Sequence, residues 1–115
     1  MTVILIVLCN VLLLVTGQTM WKHALNRHPL RSAGDIVPLL TDPVMLGGCL
    51  LFAAATLIWF YALSRYDLSR IYPLQSMAYV LGALSGVLLF KETMSTGQWL
   101  GVVLILGGAV LVAKP

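Results

Sequence analysis

Four long apolar blocks, separated by short polar connections, constrain this chain more than any other feature of its sequence. They run from Val3 to about Trp21, Val44 to about Leu63, Ile71 to Phe90 and about Gly97 to Ala113. Each holds about 17–20 residues, and a helix of that length crosses the roughly 30 Å hydrocarbon core of a bilayer. Inside lipid the backbone N–H and C=O groups must pair within their own segment, so helices are the form such blocks take. Only 10% of the 115 residues are charged and 60% are hydrophobic, too polar-poor to clothe a soluble domain, which has about 25% charged residues. The expected fold class is all-α: an integral membrane protein with four transmembrane helices over about 3–24, 43–64, 70–90 and 96–113, forming one domain across residues 1–115.

The punctuation agrees. Asp42 before Pro43 is an N-cap followed by proline at the first helical position. Ser95-Thr96-Gly97-Gln98 forms a capping box for the fourth helix, and Asp67 is placed to cap the third. Pro73 is harmless if the third helix starts near Ile71, and kinks it if the start is Leu68. No Lys or Arg precedes Val3 and no small-residue cleavage site follows, so the first block is expected to be a retained span rather than a signal peptide. In the long connection, Ile36 to Leu40 is too short to span and is expected to lie on the membrane interface. Cys9 and Cys49 sit in separate apolar runs with no metal-ligand spacing, and are expected to be small buried hydrophobes.

The first and third connections carry Lys22, Arg27, Arg31 and Lys91; the other face carries Arg65, Arg70 and Lys114. So small a bias barely orients the chain. Cytoplasmic termini are favoured, with dual insertion and an antiparallel pair left open. No basic run suits nucleic acid.

Function is sought where polar groups stand inside the apolar blocks. Tyr72, Gln75, Ser76 and Tyr79 fall at i, i+3, i+4 and i+7 of the third helix, a polar stripe that is unfavourable in hydrocarbon unless it faces protein, water or a ligand. Asn10, Leu14, Gly17, Gln18 and Trp21 form a second stripe on the first helix. Asn10 and Gln18 either hydrogen-bond a polar solute or tie neighbouring helices together. Tyr72, Gln75, Ser76 and Tyr79 are expected to contact ligand, with Trp59 and Thr56 walling the same cavity or, for Trp59, sitting at the headgroup level. Lys22, Arg27 and Arg31 share one membrane face, where they either anchor to headgroups or hold a lipid phosphate. Four short helices enclose little volume, so a transport role calls for at least a dimer. Gly101, Leu104, Ile105 and Gly108 on the fourth helix give it a candidate seam, the alternative being packing within one bundle.

No Asp, Glu, Lys, Arg or His lies in the middle of any block. Glu92, beside Lys91 at the end of the third block, is expected to be a solvated ion pair. There is no paired-carboxylate site, no nucleophile–base pair and no metal-ligand cluster; His23 and His28 lie in the basic connection. The sequence thus predicts neither an enzyme nor a cofactor.

Several segments carry a family likeness: Gly17-Gln18-Thr19-Met20-Trp21-Lys22, Ile71-Tyr72-Pro73-Leu74-Gln75-Ser76, Phe90-Lys91-Glu92 followed by Gly97-Gln98-Trp99-Leu100-Gly101, and Gly101-x-x-Leu104-Ile105-x-x-Gly108. In order and spacing the chain resembles the four-helix members of the drug/metabolite transporter superfamily, of the EamA-like and small-multidrug-resistance type. Leu14 stands where the multidrug exporters have an essential glutamate, and Gln75 where they have a drug-stacking aromatic. The Gly17-Gln18…Lys22 end and the Tyr72-Pro73 pair are more similar to the small subunits of aminoarabinose–undecaprenyl phosphate flippases. That resemblance implies a multi-pass protein of the bacterial inner membrane, moving a polyprenyl-phosphate-linked sugar as a homodimer or as a heterodimer with a paralogous subunit. The competing readings are a proton-coupled exporter of small organic cations or drugs, which needs a carboxylate in the cavity, and a non-transporting membrane assembly partner.

Overall fold

A computed structural model describes residues 2–114. Four helical segments among them are long and apolar enough to cross a membrane: Thr2–Arg27, Pro43–Arg65, Leu68–Leu89 and Thr96–Ala113. The protein is all-α, an integral membrane protein.

The first span, α1 (Thr2–Arg27), ends just before His28-Pro29, where the residue preceding proline is disfavoured in helix. A 3₁₀ turn (Ala33–Asp35) and the short helix α2 (Ile36–Leu40) follow. Ile36, Val37 and Leu40 are exposed and Leu39 is buried against Ala24 and Met45, the one-sided pattern of an interfacial helix. The second span, α3 (Pro43–Arg65), starts as its sequence dictates: the Asp42 carboxylate accepts the Val44 N–H at 2.7 Å. The last span, α6 (Thr96–Ala113), opens on the reciprocal bonds of the Ser95/Gln98 capping box, 2.7 and 3.2 Å.

The third span is two helices, α4 (Leu68–Leu74) and α5 (Met77–Leu89). Asp67 holds the N-cap position without a side-chain bond. Because the helix starts at Leu68, Pro73 falls inside it and supplies no N–H. The following residues tighten to i→i−3 bonding: Ser76 donates to Pro73, Ala78 to Gln75 and Tyr79 to Ser76, at 2.9–3.0 Å. The overwound turn at Gln75–Ser76 breaks the expected single helix.

Two glycines bring α1 and α3 together. A Cβ on Gly17 would stand 3.0 Å from the Gly48 carbonyl oxygen; one on Gly48 would stand 2.8 Å from that of Gly17 and 2.6 Å from the Trp21 ring. Trp21 lies over this crossing, stacks on Phe52 (centroids 5.2 Å apart) and donates its indole N–H to the Met45 carbonyl at 3.2 Å. Toward the other end, Val3, Val7 and Val11 of α1 bury against Ala62 of α3 and Ile71 and Leu74 of α4. α6 buries only Ala109. Cys9 and Cys49 are exposed free thiols, not buried as expected; helix rotation turns both outward from the helix–helix contacts.

Candidate polar cleft between the first and third spans

Asn10 is 1% exposed, and its amide is consumed by protein: Nδ2 donates to the Ala55 carbonyl at 2.7 Å, and Oδ1 accepts from Gln75 Nε2 at 3.0 Å. The broken third span is therefore tied through α1 to α3. Beside this knot lies a cavity of about 430 Å³ walled by Asn10, Gln18, Trp59, Tyr72, Gln75, Ser76 and Tyr79, together with Phe52 and Thr56. Both polar stripes meet there, with Trp59 and Tyr72 edge to face at 6.2 Å. Tyr72 and Tyr79 are exposed, whereas Gln75 and Ser76 are half-buried.

Leu14, Gln18, Ala78 and Tyr79 also wall a second cavity of about 340 Å³. The two cavities adjoin across these shared walls and make a two-chambered cleft along α1. Thr19, which donates to the Val15 carbonyl at 2.7 Å, receives a 2.9 Å bond from Ser85 of α5 across the second cavity. At its far end Lys22 and Glu92 face each other, Nζ to Oε2 3.6 Å. Glu92 thus pairs across the cleft with Lys22 instead of standing as a solvated partner of Lys91. Lys91 adopts a left-handed conformation (φ 54°), and the turned-back Glu92 N–H reaches the Gly86 carbonyl at 3.1 Å. The Glu92 carboxylate lies against Gly86, where a Cβ would collide with Oε1. Thr19, Ser85 and Phe52 were not singled out from the sequence as site residues, and Ser85 had a local signal in the small-residue run Gly82 to Gly86; Glu92 was expected only as a solvated pair with Lys91.

The other cations lie elsewhere. Arg27 grips Asp42 with Nη2 2.7 and 2.6 Å from its two oxygens, and His28 Nε2 lies 2.9 Å from Oδ2. Burial pushes the Asp42 carboxyl up, but the Val44 amide, the Arg27 guanidinium and His28 outweigh it and hold the group below its ordinary pKa. Arg31 is exposed, its backbone N–H donating to Asp35 at 2.8 Å. Neither Arg27 nor Arg31 walls the cleft.

On α6, a Cβ at Gly101 or Gly108 would meet nothing within 4 Å, Leu104 is 68% exposed, and Ile105 is half-buried. No element of the described chain packs on that face at the two glycines. Among the described residues no group of three or more His, Cys, Asp or Glu is placed to hold a metal ion.

The model of the EamA-like transporter family matches residues 1–114. A probable 4-amino-4-deoxy-L-arabinose-phosphoundecaprenol flippase subunit ArnF from Serratia proteamaculans is 34% identical over 90% of this chain and 85% of its own. An ArnF from Aeromonas hydrophila is 37% identical over 96% and 80%, and an ArnE of that organism 33% identical over 94% of both chains. Likeness to the two kinds of subunit is thus similar. No solved structure matches.

Proposed function

This chain belongs to the EamA-like transporter family, and from that premise we propose that it is one small subunit of a flippase that carries a polyprenyl-phosphate-linked amino sugar across the bacterial inner membrane. Relatives named as flippase subunits for such a lipid cover most of its length. The observation that carries the reading is the cleft itself: hydrogen-bonding groups from two spans line a cavity of headgroup size with a lysine at one end.

The physical problem is to move a polar, charged headgroup through hydrocarbon while its apolar tail stays there. Unpaired polar groups are costly in such a medium. Gln18, Tyr72, Gln75, Ser76 and Tyr79 offer a ladder of replacement partners, and Lys22 offers the phosphate an ion pair. Asn10 serves as the post that holds Gln75, and Trp59 as an apolar wall for a sugar face. Arg27 is committed to Asp42, which leaves Lys22 as the phosphate partner. The break at Gln75–Ser76 supports alternating access, since discontinuous helices recur at transporter sites. A second subunit, identical or paralogous, packs on the Gly101–Leu104–Ile105–Gly108 face of α6 and closes the cleft.

Translocation of a fluorescent polyprenyl-phosphate amino sugar in reconstituted vesicles tests this. Lys22→Ala and Gln75→Leu are each expected to slow it about tenfold, the effect of losing a charge-assisted or buried hydrogen bond; full rates in both overturn the site. One observation favours cation export instead: Glu92 supplies the cleft with a carboxylate. A drug-resistance profile altered by the protein would favour that reading.

A further inference from the structure

Lys22 and Glu92 are the only charged side chains walling the cleft among the described residues. They come from different parts of the chain: Lys22 from the last turns of α1, Glu92 from just beyond α5. Both are half exposed, and their 3.6 Å separation is that of a loose pair. A pair so solvated adds little to folding stability, so its geometry needs another explanation.

The backbone is shaped to put the acid there. Lys91 accepts a left-handed conformation that non-glycine residues rarely adopt, and it folds Glu92 back over α5. Gly86 leaves the space that the carboxylate occupies. Among the described residues no other charged side chain walls the cleft.

A ligand with one positive and one negative group can exchange this pair for two. Its phosphate takes the Lys22 ammonium and its amine takes the Glu92 carboxylate, so no charge is left unmatched at any stage. A neutral sugar phosphate opens the same pair and strands Glu92. We infer that Glu92 is the amine-recognising residue of the cleft, and that with Lys22 it selects a zwitterionic amino-sugar phosphate over its uncharged-sugar counterpart. This rests on the flippase reading above and names the group that sets its specificity.

The test is the affinity of the full chain in lipid nanodiscs for three short-chain isoprenyl phosphates: one bearing a 4-amino sugar, its N-acetyl derivative and its 4-hydroxy analogue. The amine is expected to bind about tenfold more tightly than the other two, the range of one charge-assisted contact. Glu92→Gln is expected to bring that ratio close to one. Gly86→Ala, which displaces the carboxylate by swinging a flexible side chain, is expected to do the same and decides the matter if Glu92→Gln does not fold. Lys22→Gln is expected to weaken all three phosphates. Binding of the phosphates with no preference for the amine, or a preference that survives Glu92→Gln and Gly86→Ala, overturns this inference and leaves the flippase reading standing. Failure of all three phosphates to bind overturns both.

Discussion

The Gln75 side-chain amide donates to Asn10 Oδ1 at 3.0 Å, and Asn10 passes the connection on to the Ala55 carbonyl at 2.7 Å. One buried asparagine thereby joins three spans, and it orients a glutamine that remains half-buried beside the cavity. Asn10 and Gln75, which look alike on paper as polar residues in apolar helices, consequently have separable duties.

Replacing them should separate those duties. Asn10→Leu removes both bonds, leaving Gln75 Nε2 without its partner and the Ala55 carbonyl with only its bond inside α3, so it should destabilise the protein by about 1–2 kcal/mol. Gln75→Leu should lower stability less and transport more. Thermal unfolding in detergent beside vesicle translocation measures the two effects; equal losses of stability would refute the division.

Gly48 is the least replaceable residue of the crossing between α1 and α3. Its added Cβ would meet the Trp21 ring and the Gly17 backbone oxygen at 2.6–2.8 Å, and neither is a loose side-chain end. Gly48→Ala should cost about 1–3 kcal/mol through helix separation. At Gly107 an added Cβ meets nothing within 4 Å, and Gly107→Ala should leave monomer stability unchanged or slightly raised. Denaturant midpoints of the two variants make the comparison.

The α6 face predicts a different signature. Gly101→Ile and Gly108→Ile place bulk where this chain offers no neighbour, so monomer unfolding should hardly change. If that face is the seam between subunits, the pair should separate, and cross-linking or light scattering of the detergent-solubilised protein should show a shift toward monomer.

Acid should loosen the Arg27–Asp42–His28 clamp at the junction of α1 and α3. The Asp42 carboxyl is held below its ordinary value of 3.8 in the fold, and the unfolded chain restores that value. Its contribution is therefore complete above the unfolded pKa and fades as pH falls through the lower folded one. The Tm should be insensitive to this group between about pH 5 and pH 7 and should fall below about pH 4. Asp42→Asn should lower the Tm near neutrality and flatten the acid limb.

How legible the site was depends on the range of the interaction. Asp42 capping Val44 and the Ser95/Gln98 box involve residues two or three apart, and both stand as their spacing dictates. The polar stripes were visible because helical periodicity puts Tyr72, Gln75, Ser76 and Tyr79 in one sector, although Pro73 divides their helix. By contrast nothing near Glu92 in the chain points to Lys22, nothing near Arg27 points to Asp42, and nothing near Cys9 or Cys49 says which way each faces.

The sequence alone determined that this chain crosses a membrane four times and that hydrogen-bonding groups lie inside two of those crossings, because hydropathy and period are properties of single segments. Only the tertiary structure decided which of those groups bond each other, which side chains wall the cleft and which two charges face each other at one end of it. Those outcomes follow from how closely and at what rotation the helices approach, and that is fixed by contacts such as Gly17 on Gly48 between residues distant in the chain.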